Sequence, residues 1–135
     1  MQIQWIAHSC FKITLESGTV LLFDPFGEGI GYTMPQVEAD YVFCSHDHFD
    51  HNGLDNVRPG YKLFLEPGHY EEAELVIEGI ACHHDGAQGA LRGNNIIFKV
   101  SAEGVSMAHL GDLGHPLNAD LAAKLGKVDV LMIPV

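Results

Sequence analysis

The stretch His46-Asp47-His48-Phe49-Asp50-His51 decides how this 135-residue sequence is interpreted. It has the pattern H-x-H-x-D-H and follows the apolar run Tyr41-Val-Phe-Cys44, which predicts a short buried strand. On an extended segment that leaves a strand, residues i and i+2 point the same way, so His46 and His48 can bind one cation. We therefore expect a metal site at the end of this strand.

The remaining residues of the motif fit the same interpretation. Asp50 and His51 follow as the chain turns, and they can reach a second cation or a metal-bound water. Imidazole nitrogens together with carboxylate oxygens suit zinc, and also iron or manganese. The alternative is a solvated polar loop that is rich in histidine by chance, which better explains a lone histidine. Four candidate ligands in one hexapeptide favour the metal site.

Two further groups of candidate ligands stand far from the motif in sequence. His83-His84-Asp85 ends a predicted strand over 76–82, and His109-Leu-Gly-Asp112 ends another over 105–110, shortly before His115. A histidine at a strand end is more often solvated or hydrogen-bonded than a ligand, so neither group is specific alone. A site for two metals would still need a third imidazole and a bridging carboxylate. Together with the first motif, these groups favour a dinuclear site.

The composition restricts the class of protein. With 47% hydrophobic and 19% charged residues the chain is globular rather than disordered, and its length predicts one domain over 1–135. Eighteen acidic and seven basic residues give a formal charge of -11, which repels phosphate backbones. We therefore expect a small-molecule substrate and no nucleic-acid partner.

The cysteines and the chain start predict the compartment. The chain has an odd number of cysteines, Cys10, Cys44 and Cys82, and none of them forms a C-x-x-C motif, so we expect free thiols. Cys44 and Cys82 are expected to be small core residues. The start lacks a basic segment followed by an apolar run, and no stretch approaches 18 apolar residues. These features predict a soluble, cytoplasmic protein without membrane contact.

Most of the chain has the alternation or the short apolar runs typical of strands. The predicted strands cover 3–6, 11–15, 20–23, 41–44, 62–65, 76–82, 96–100, 105–110 and 128–135. A turn at Ser17-Gly18 makes a hairpin, and residues 25–36 are predicted to be a loop. Asn118 is expected to cap a helix through Leu125 that carries Leu121, Ala122 and Leu125 on one face.

The last predicted strand, 128–135, is apolar and has no polar tail after it. An uncovered apolar strand at a sheet edge promotes association. We therefore expect either a missing C-terminal segment or a homo-oligomer in which a neighbouring copy covers this strand.

Several segments of the sequence resemble the metallo-β-lactamase-fold hydrolases, in particular the small metal-dependent hydrolases related to ascorbate-6-phosphate lactonase. The similarity covers the whole chain. The matching segments are Trp5-Ile-Ala-His-Ser-Cys-Phe11, Leu22-Phe-Asp-Pro25, Ser45-His-Asp-His-Phe-Asp-His51, His84-Asp85, Arg92-Gly-Asn-Asn95, His109-Leu-Gly-Asp-Leu-Gly-His115 and Asp129-Val-Leu-Met-Ile-Pro-Val135.

The resemblance implies an α/β (α+β) fold, the αββα four-layer sandwich of the metallo-β-lactamases, incomplete at its C-terminus. It implies two divalent metal ions, with zinc as the first choice and manganese or iron as alternatives. By the resemblance, His46, His48 and His84 hold the first metal, Asp50 and His51 hold the second, and Asp112 bridges both. His84 is preferred to His83 because the ligand histidine of this branch is directly followed by Asp.

The resemblance also implies a function, the hydrolysis of an ester, lactone or phosphoester by a metal-activated water. Asp50 would orient the nucleophile and pass its proton to the leaving group, while His8 and His115 would contact the substrate. For His8, a buried histidine bonded to backbone is an equal alternative. A nuclease, an iron-type oxidoreductase and a catalytically incomplete metal-binding fragment are the rival functions.

Two departures from the family pattern affect these expectations. Ala7 stands where the family usually has Gly, which is a minor change. The family also continues past the final Pro-Val into further strands and a last histidine ligand. The second metal site is therefore expected to lack one ligand.

Overall fold

The computed structural model describes residues 1–46, 53–83 and 93–134, which belong to two compact units, Met1–Leu65 and Glu66–Val135. Each unit contains one five-stranded sheet. No helix in the described ranges is long and apolar enough to cross a membrane.

The sheet of the first unit changes from antiparallel to parallel pairing at its third strand. Its strands, in spatial order, are β1 (Gln2–Ala7), β2 (Cys10–Thr14), β3 (Val20–Phe23), β4 (Tyr41–Phe43) and β5 (Lys62–Phe64). Strands β1, β2 and β3 pair antiparallel, and β3, β4 and β5 pair parallel. Because β3 and β4 are parallel neighbours, their carboxyl ends meet at one edge of the sheet.

Both faces of this sheet are buried at β3 and β4. Phe23, Phe43 and Phe64 are in register on neighbouring strands and stack, with ring centroids 4.7 and 5.1 Å apart. Leu22 and Val42 belong to a second apolar cluster that also contains Cys10, Phe26, Met34 and Cys44. Burial on two faces explains why these strands have continuous apolar runs rather than alternation.

The second unit has a sheet with one parallel edge strand. Its elements are β6 (Gly68–Glu72), β7 (Leu75–His83), β8 (Asn94–Ala102), β9 (Val105–His109), α1 (Ala119–Leu125) and β10 (Val130–Met132). The spatial order is β10-β9-β8-β7-β6, and only the β9–β10 pair is parallel. The helix α1 provides the crossover that a parallel pair requires.

The predicted helix is confirmed, with one difference in its buried face. The side chain of Asn118 accepts a hydrogen bond from the Leu121 amide at 2.8 Å, and the helix ends at Gly126, where φ is 61°. Leu121 and Leu125 pack with the buried residues of β7, β8 and β9. Ala122 is exposed, because it lies about 100° around the helix from Leu121.

Two sequence predictions differ from the structure at the edges of this sheet. Strand β6 was not predicted, since its residues are mostly exposed and follow no apolar pattern. The last strand was predicted over 128–135, but the described strand spans only Val130–Met132. It lies at the edge of the sheet with a neighbour on one side, and Leu131 and Ile133 are 48% and 53% exposed.

All three cysteines are free and buried, as predicted. Burial raises the pKa of each thiol, and the negative charge of Asp24 adds to the increase at Cys10 and Cys44. These thiols therefore stay protonated in the folded protein at neutral pH.

Candidate metal centre

The first residues of the metal motif are held by a buried carboxylate. Asp24, only 1% exposed, directly follows β3, and Ser45 and His46 follow β4, the parallel neighbour. One carboxylate oxygen of Asp24 accepts the Ser45 amide at 2.7 Å, and the other accepts the Ser45 hydroxyl at 2.6 Å. The Asp24 amide donates to the Phe43 carbonyl at 2.8 Å, which fixes its backbone to β4.

This arrangement determines which ring nitrogen of His46 carries a proton. The Ser45 hydroxyl oxygen lies 2.8 Å from Nδ1 of His46. A serine hydroxyl has one proton, and an ionised Asp24 accepts it because a carboxylate has none to donate. Ser45 must therefore accept from Nδ1–H of His46. In the neutral ring this leaves the lone pair on Nε2.

The chemistry of His46 fits a metal ligand. Its Nε2 atom is buried, and in this tautomer it offers a lone pair rather than a proton. Metal-binding histidines commonly donate their other ring N–H to an oxygen, which fixes the tautomer and raises ligand basicity. This tautomer of His46 is the one in which Nε2 can bind a divalent metal ion.

The chain is held again just beyond the motif. The Gly53 amide donates to the Pro25 carbonyl at 2.8 Å. A Cβ at position 53 would overlap the carbonyl carbon of Phe26 and the nitrogen of Gly27, so only glycine fits this approach. Ser45 and Gly53 are therefore bound to the consecutive residues Asp24 and Pro25.

In the second unit, Asp112 lies in a turn that follows β9 directly. The Gly111 amide donates to Nδ1 of His109 at 3.1 Å, and Gly111 has a φ of 60°, a conformation that favours glycine. The Asp112 amide donates to the side-chain oxygen of Asn95 at 3.1 Å. His109 and Asn95 are 3% and 1% exposed. The turn is thus fixed by two buried polar side chains.

The same turn also brings His83 close to His115. From the sequence, His83 is the alternative to His84 as a metal ligand, and His115 is a predicted substrate contact. The Gly114 amide donates to the His83 carbonyl at 3.0 Å, and the His83 amide lies 3.4 Å from Nε2 of His115. The His83 and His115 rings are 6.0 Å apart. The other ring nitrogen of His115, Nδ1, lies 3.0 Å from the Pro116 carbonyl, so it carries the proton. The role of His115 in substrate binding stays a prediction.

The structure also describes the surroundings of two further histidines, His8 and His69. His8 is exposed and has a φ of 53°, so its alternative as a buried histidine was wrong, and its substrate contact stays a prediction. His69 is an exposed surface residue beside Glu71 and Glu78.

Four predicted metal ligands, His48, Asp50, His51 and His84, lie outside the described residues, so the choice between His83 and His84 stays open. Within 1–46, 53–83 and 93–134 there is no group of three His, Cys, Asp or Glu side chains that could hold a metal ion.

Sequence reasoning assigned no role to Asp24, Ser45 or Asn95, although all three lie in the segments that carry the family resemblance. The available signal was their position. Asp24 and Ser45 each follow a predicted apolar strand directly, and Asn95 directly precedes the predicted strand over 96–100. Their hydrogen-bond partners, in contrast, depend on strand pairing that the sequence does not state.

Comparisons with known proteins agree with this structure. A family described as a beta-lactamase superfamily domain matches residues 2–135. A UPF0173 metal-dependent hydrolase of Pyrobaculum neutrophilum is 31% identical over 162 residues, which cover 100% of this chain and 72% of the relative. A candidate zinc-dependent hydrolase of the metallo-β-lactamase superfamily from Thermotoga maritima is 33% identical with a TM-score of 0.75, covering 96% of this chain and 58% of that chain.

A more distant structure shares only the fold. CmlA, a diiron β-hydroxylase from Streptomyces venezuelae, has a TM-score of 0.66 at 16% identity and covers 96% of this chain and 33% of its own. The predicted fold class is confirmed, since the two mixed sheets match the metallo-β-lactamase fold. The chain belongs to the beta-lactamase superfamily and, within it, to the UPF0173 metal-dependent hydrolases.

Proposed function

We propose that this chain is the metal-binding part of a hydrolase that uses two divalent metal ions, zinc in first place, to cleave an ester, lactone or phosphoester of a small molecule. Metal ions of this kind bring the pKa of a bound water toward neutrality and polarise the substrate oxygen. Membership of a metal-dependent hydrolase family supports the proposal. The Thermotoga structure, a candidate zinc-dependent hydrolase, supports the choice of zinc.

The single observation that carries the proposal is the hydrogen-bonded series Asp24–Ser45–His46. It gives His46 the Nδ1–H tautomer, in which the lone pair stands on Nε2. A solvated histidine in a polar loop would need neither a buried carboxylate nor a serine to select its tautomer. The series therefore supports a metal ligand over the alternative of a polar loop.

The proposed ligands are those that the resemblance implies. They are His46, His48, Asp50, His51, His84 and Asp112. Asp50 also holds the nucleophilic water in place and transfers its proton to the leaving group. His8 and His115 contact the substrate. The free, buried cysteines support a reducing compartment, and we propose the cytoplasm.

Metal content and substrate tests examine this proposal together. We expect purified protein to contain zinc by elemental analysis, and metal removal to lower its thermal midpoint. Metal at 100 times its Kd adds about 2.7 kcal/mol to the free energy of unfolding. For a chain of this length that corresponds to roughly 10 °C.

His46→Ala should lose this sensitivity, and His69→Ala, which changes an exposed histidine of β6, should retain it. A panel of lactones, esters and phosphodiesters then identifies the substrate class. Wild-type protein that binds no divalent metal would refute the proposal.

The second candidate function is an iron-type oxidoreductase, because a diiron hydroxylase has the same fold. Oxygen consumption by iron-loaded protein, with no hydrolysis of any member of the panel by zinc-loaded protein, would favour it. The formal charge of -11 does not favour the third alternative, a nuclease.

A further inference from the structure

We propose that Asn95 is a positioning residue that fixes the turn carrying Asp112 before any metal binds. This inference rests on the proposed function, in which Asp112 is a metal ligand. It extends that proposal to a residue that would not touch the metal, the substrate or the reacting atoms.

The side chain of Asn95 joins two points of the turn. Its Oδ1 accepts the Asp112 amide at 3.1 Å, and its Nδ2 donates to the Leu110 carbonyl at 2.8 Å. The second Nδ2 proton is directed to the Cys82 sulfur at 3.2 Å. One side chain thus holds the residue that would bind metal and the residue two positions before it.

The orientation of this amide follows from its partners. A backbone N–H can only donate and a backbone carbonyl can only accept, so the oxygen of Asn95 must face Asp112 and its nitrogen must face Leu110. Aspartate at position 95 would place two acceptors here and oppose the Leu110 carbonyl. Leucine would leave both backbone groups without this partner, and the site is buried.

Asn95 itself lies on a paired strand. Its backbone is in register with Cys82 in the β7–β8 ladder, and the sulfur of Cys82 lies 3.4 Å from the Asn95 carbonyl. Strand β8 continues beyond the end of its pairing with β9, which finishes at the pair Phe98 and His109. The N-terminal end of β8, which is paired with β7 but not with β9, therefore runs beside the turn that follows β9. This end of the strand carries Asn95.

Other hydrogen bonds also support the turn. The Leu110 amide donates to the Met132 carbonyl at 3.0 Å, and the Leu113 amide lies 3.2 Å from the Leu110 carbonyl. These bonds hold the residues on either side of Asp112. The bond to Asn95 is made by the Asp112 amide itself, so its loss is expected to loosen the proposed ligand while the rest of the unit stays folded.

The test compares metal affinity in the full chain at a temperature far below the melting transition. Zn²⁺ affinity is measured by competition with a chromophoric chelator, and the ligand environment is read from the visible spectrum of Co²⁺-loaded protein. We expect Asn95→Ala to weaken Zn²⁺ binding by about 10- to 100-fold, the usual effect of losing a residue that supports a metal ligand. Its Co²⁺ spectrum should also change.

Val100→Ala provides the matched control, because it truncates a buried residue of the same strand away from the turn. It should lower stability while leaving Zn²⁺ affinity within about twofold, since a cavity in the core acts on folding rather than on the site. Equal Zn²⁺ affinities for Asn95→Ala and Val100→Ala would overturn the inference.

Asp112→Asn separates this inference from the proposed function. If Asp112→Asn binds Zn²⁺ as tightly as the wild type, Asp112 is not a ligand and the proposed ligand set is wrong. The inference that Asn95 positions a metal ligand is then wrong as well. If Asp112→Asn is weakened and Asn95→Ala is not, only the inference about Asn95 is overturned.

A measurement on the wild type covers the case in which Asn95→Ala does not fold. In metal-free protein the Asp112 amide should exchange with solvent at least about 100-fold more slowly than an unstructured amide, because neither atom of its hydrogen bond to Asn95 is a proposed metal-binding atom. Exchange at the unstructured rate would overturn the inference.

Discussion

The substitution Asp24→Asn should move the ring proton of His46 from Nδ1 to Nε2. Asparagine keeps the size of aspartate and tolerates the φ of 46° at this position, so the backbone is not strained. Its oxygen must face the Ser45 amide, which can only donate, and its NH₂ group then faces the Ser45 hydroxyl oxygen. Ser45 accepts from that group and gives its own proton to Nδ1 of His46. Nε2, the nitrogen proposed to bind metal, therefore becomes a donor.

The expected loss of stability follows from the two bonds to the carboxylate. A hydrogen bond to a charged group contributes about 1.5–3 kcal/mol, against about 0.5–1.5 kcal/mol for a neutral pair. Replacing both charged bonds by neutral ones should lower the free energy of unfolding by about 2–3 kcal/mol. Zn²⁺ affinity should fall by at least about 10-fold, because binding now requires the ring to change tautomer.

Long-range ¹⁵N–¹H correlation spectra of the histidine rings in metal-free protein provide the assay. At a pH where the ring is neutral, wild-type His46 should show the Nδ1–H pattern and Asp24→Asn the Nε2–H pattern. Asp40→Asn is the matched control, because Asp40 accepts a backbone amide, that of Val20 at 2.8 Å, in the same unit. It should leave the His46 spectrum unchanged. A wild-type ring with its proton on Nε2, or the same tautomer in wild type and Asp24→Asn, would refute the reasoning.

Three further predictions concern the thiols and the helix. Burial holds the pKa of Cys10 far above its ordinary value of 9.0, so the unfolded chain loses this proton first and stability falls as the pH rises above 9. Chemical unfolding should show that the cost of Cys10→Ala is smaller at pH 10 than at pH 8 by about 1.4 kcal/mol, and an equal cost at both pH values contradicts this. All three thiols should react with a thiol reagent only after unfolding, and rapid labelling of the native protein would exclude the burial described for them. Asn118→Ala removes the cap of α1 and should cost about 1 kcal/mol by denaturant titration, whereas Asp120→Ala in the first turn should cost less.

The sequence predicted the elements that have a strong pattern of burial. Strands β3 and β4 are buried on both faces, and their apolar runs gave correct positions within one residue. The helix was found because Asn118 marks its start and Leu121 and Leu125 repeat at helical spacing. Strand β6 was missed because an edge strand is stabilised by its pairing with β7 rather than by an apolar face of its own.

The candidate site could be predicted only in part. The motif beginning at His46 indicated a metal, because its spacing is carried by adjacent residues in the chain. The role of Asp24 depends on its hydrogen bond to Ser45, which is 21 positions away in the chain and comes close only when β3 pairs with β4. The role of Asn95 depends on its hydrogen bond to Asp112, which is 17 positions away and comes close only when β8 runs beside the Asp112 turn. Local patterns do not contain this information.

The anchoring of Ser45 and Gly53 to the consecutive residues Asp24 and Pro25 has an entropic consequence. The two anchors hold Ser45 and Gly53 in place, so the entropy of bringing these two residues together is lost when the first unit folds and does not have to be lost on metal binding. Loop closure depends weakly on length, since doubling a loop costs only about 0.6 kcal/mol. The sheet of the first unit should therefore tolerate insertions between the two anchors, whereas the proposed metal site would not.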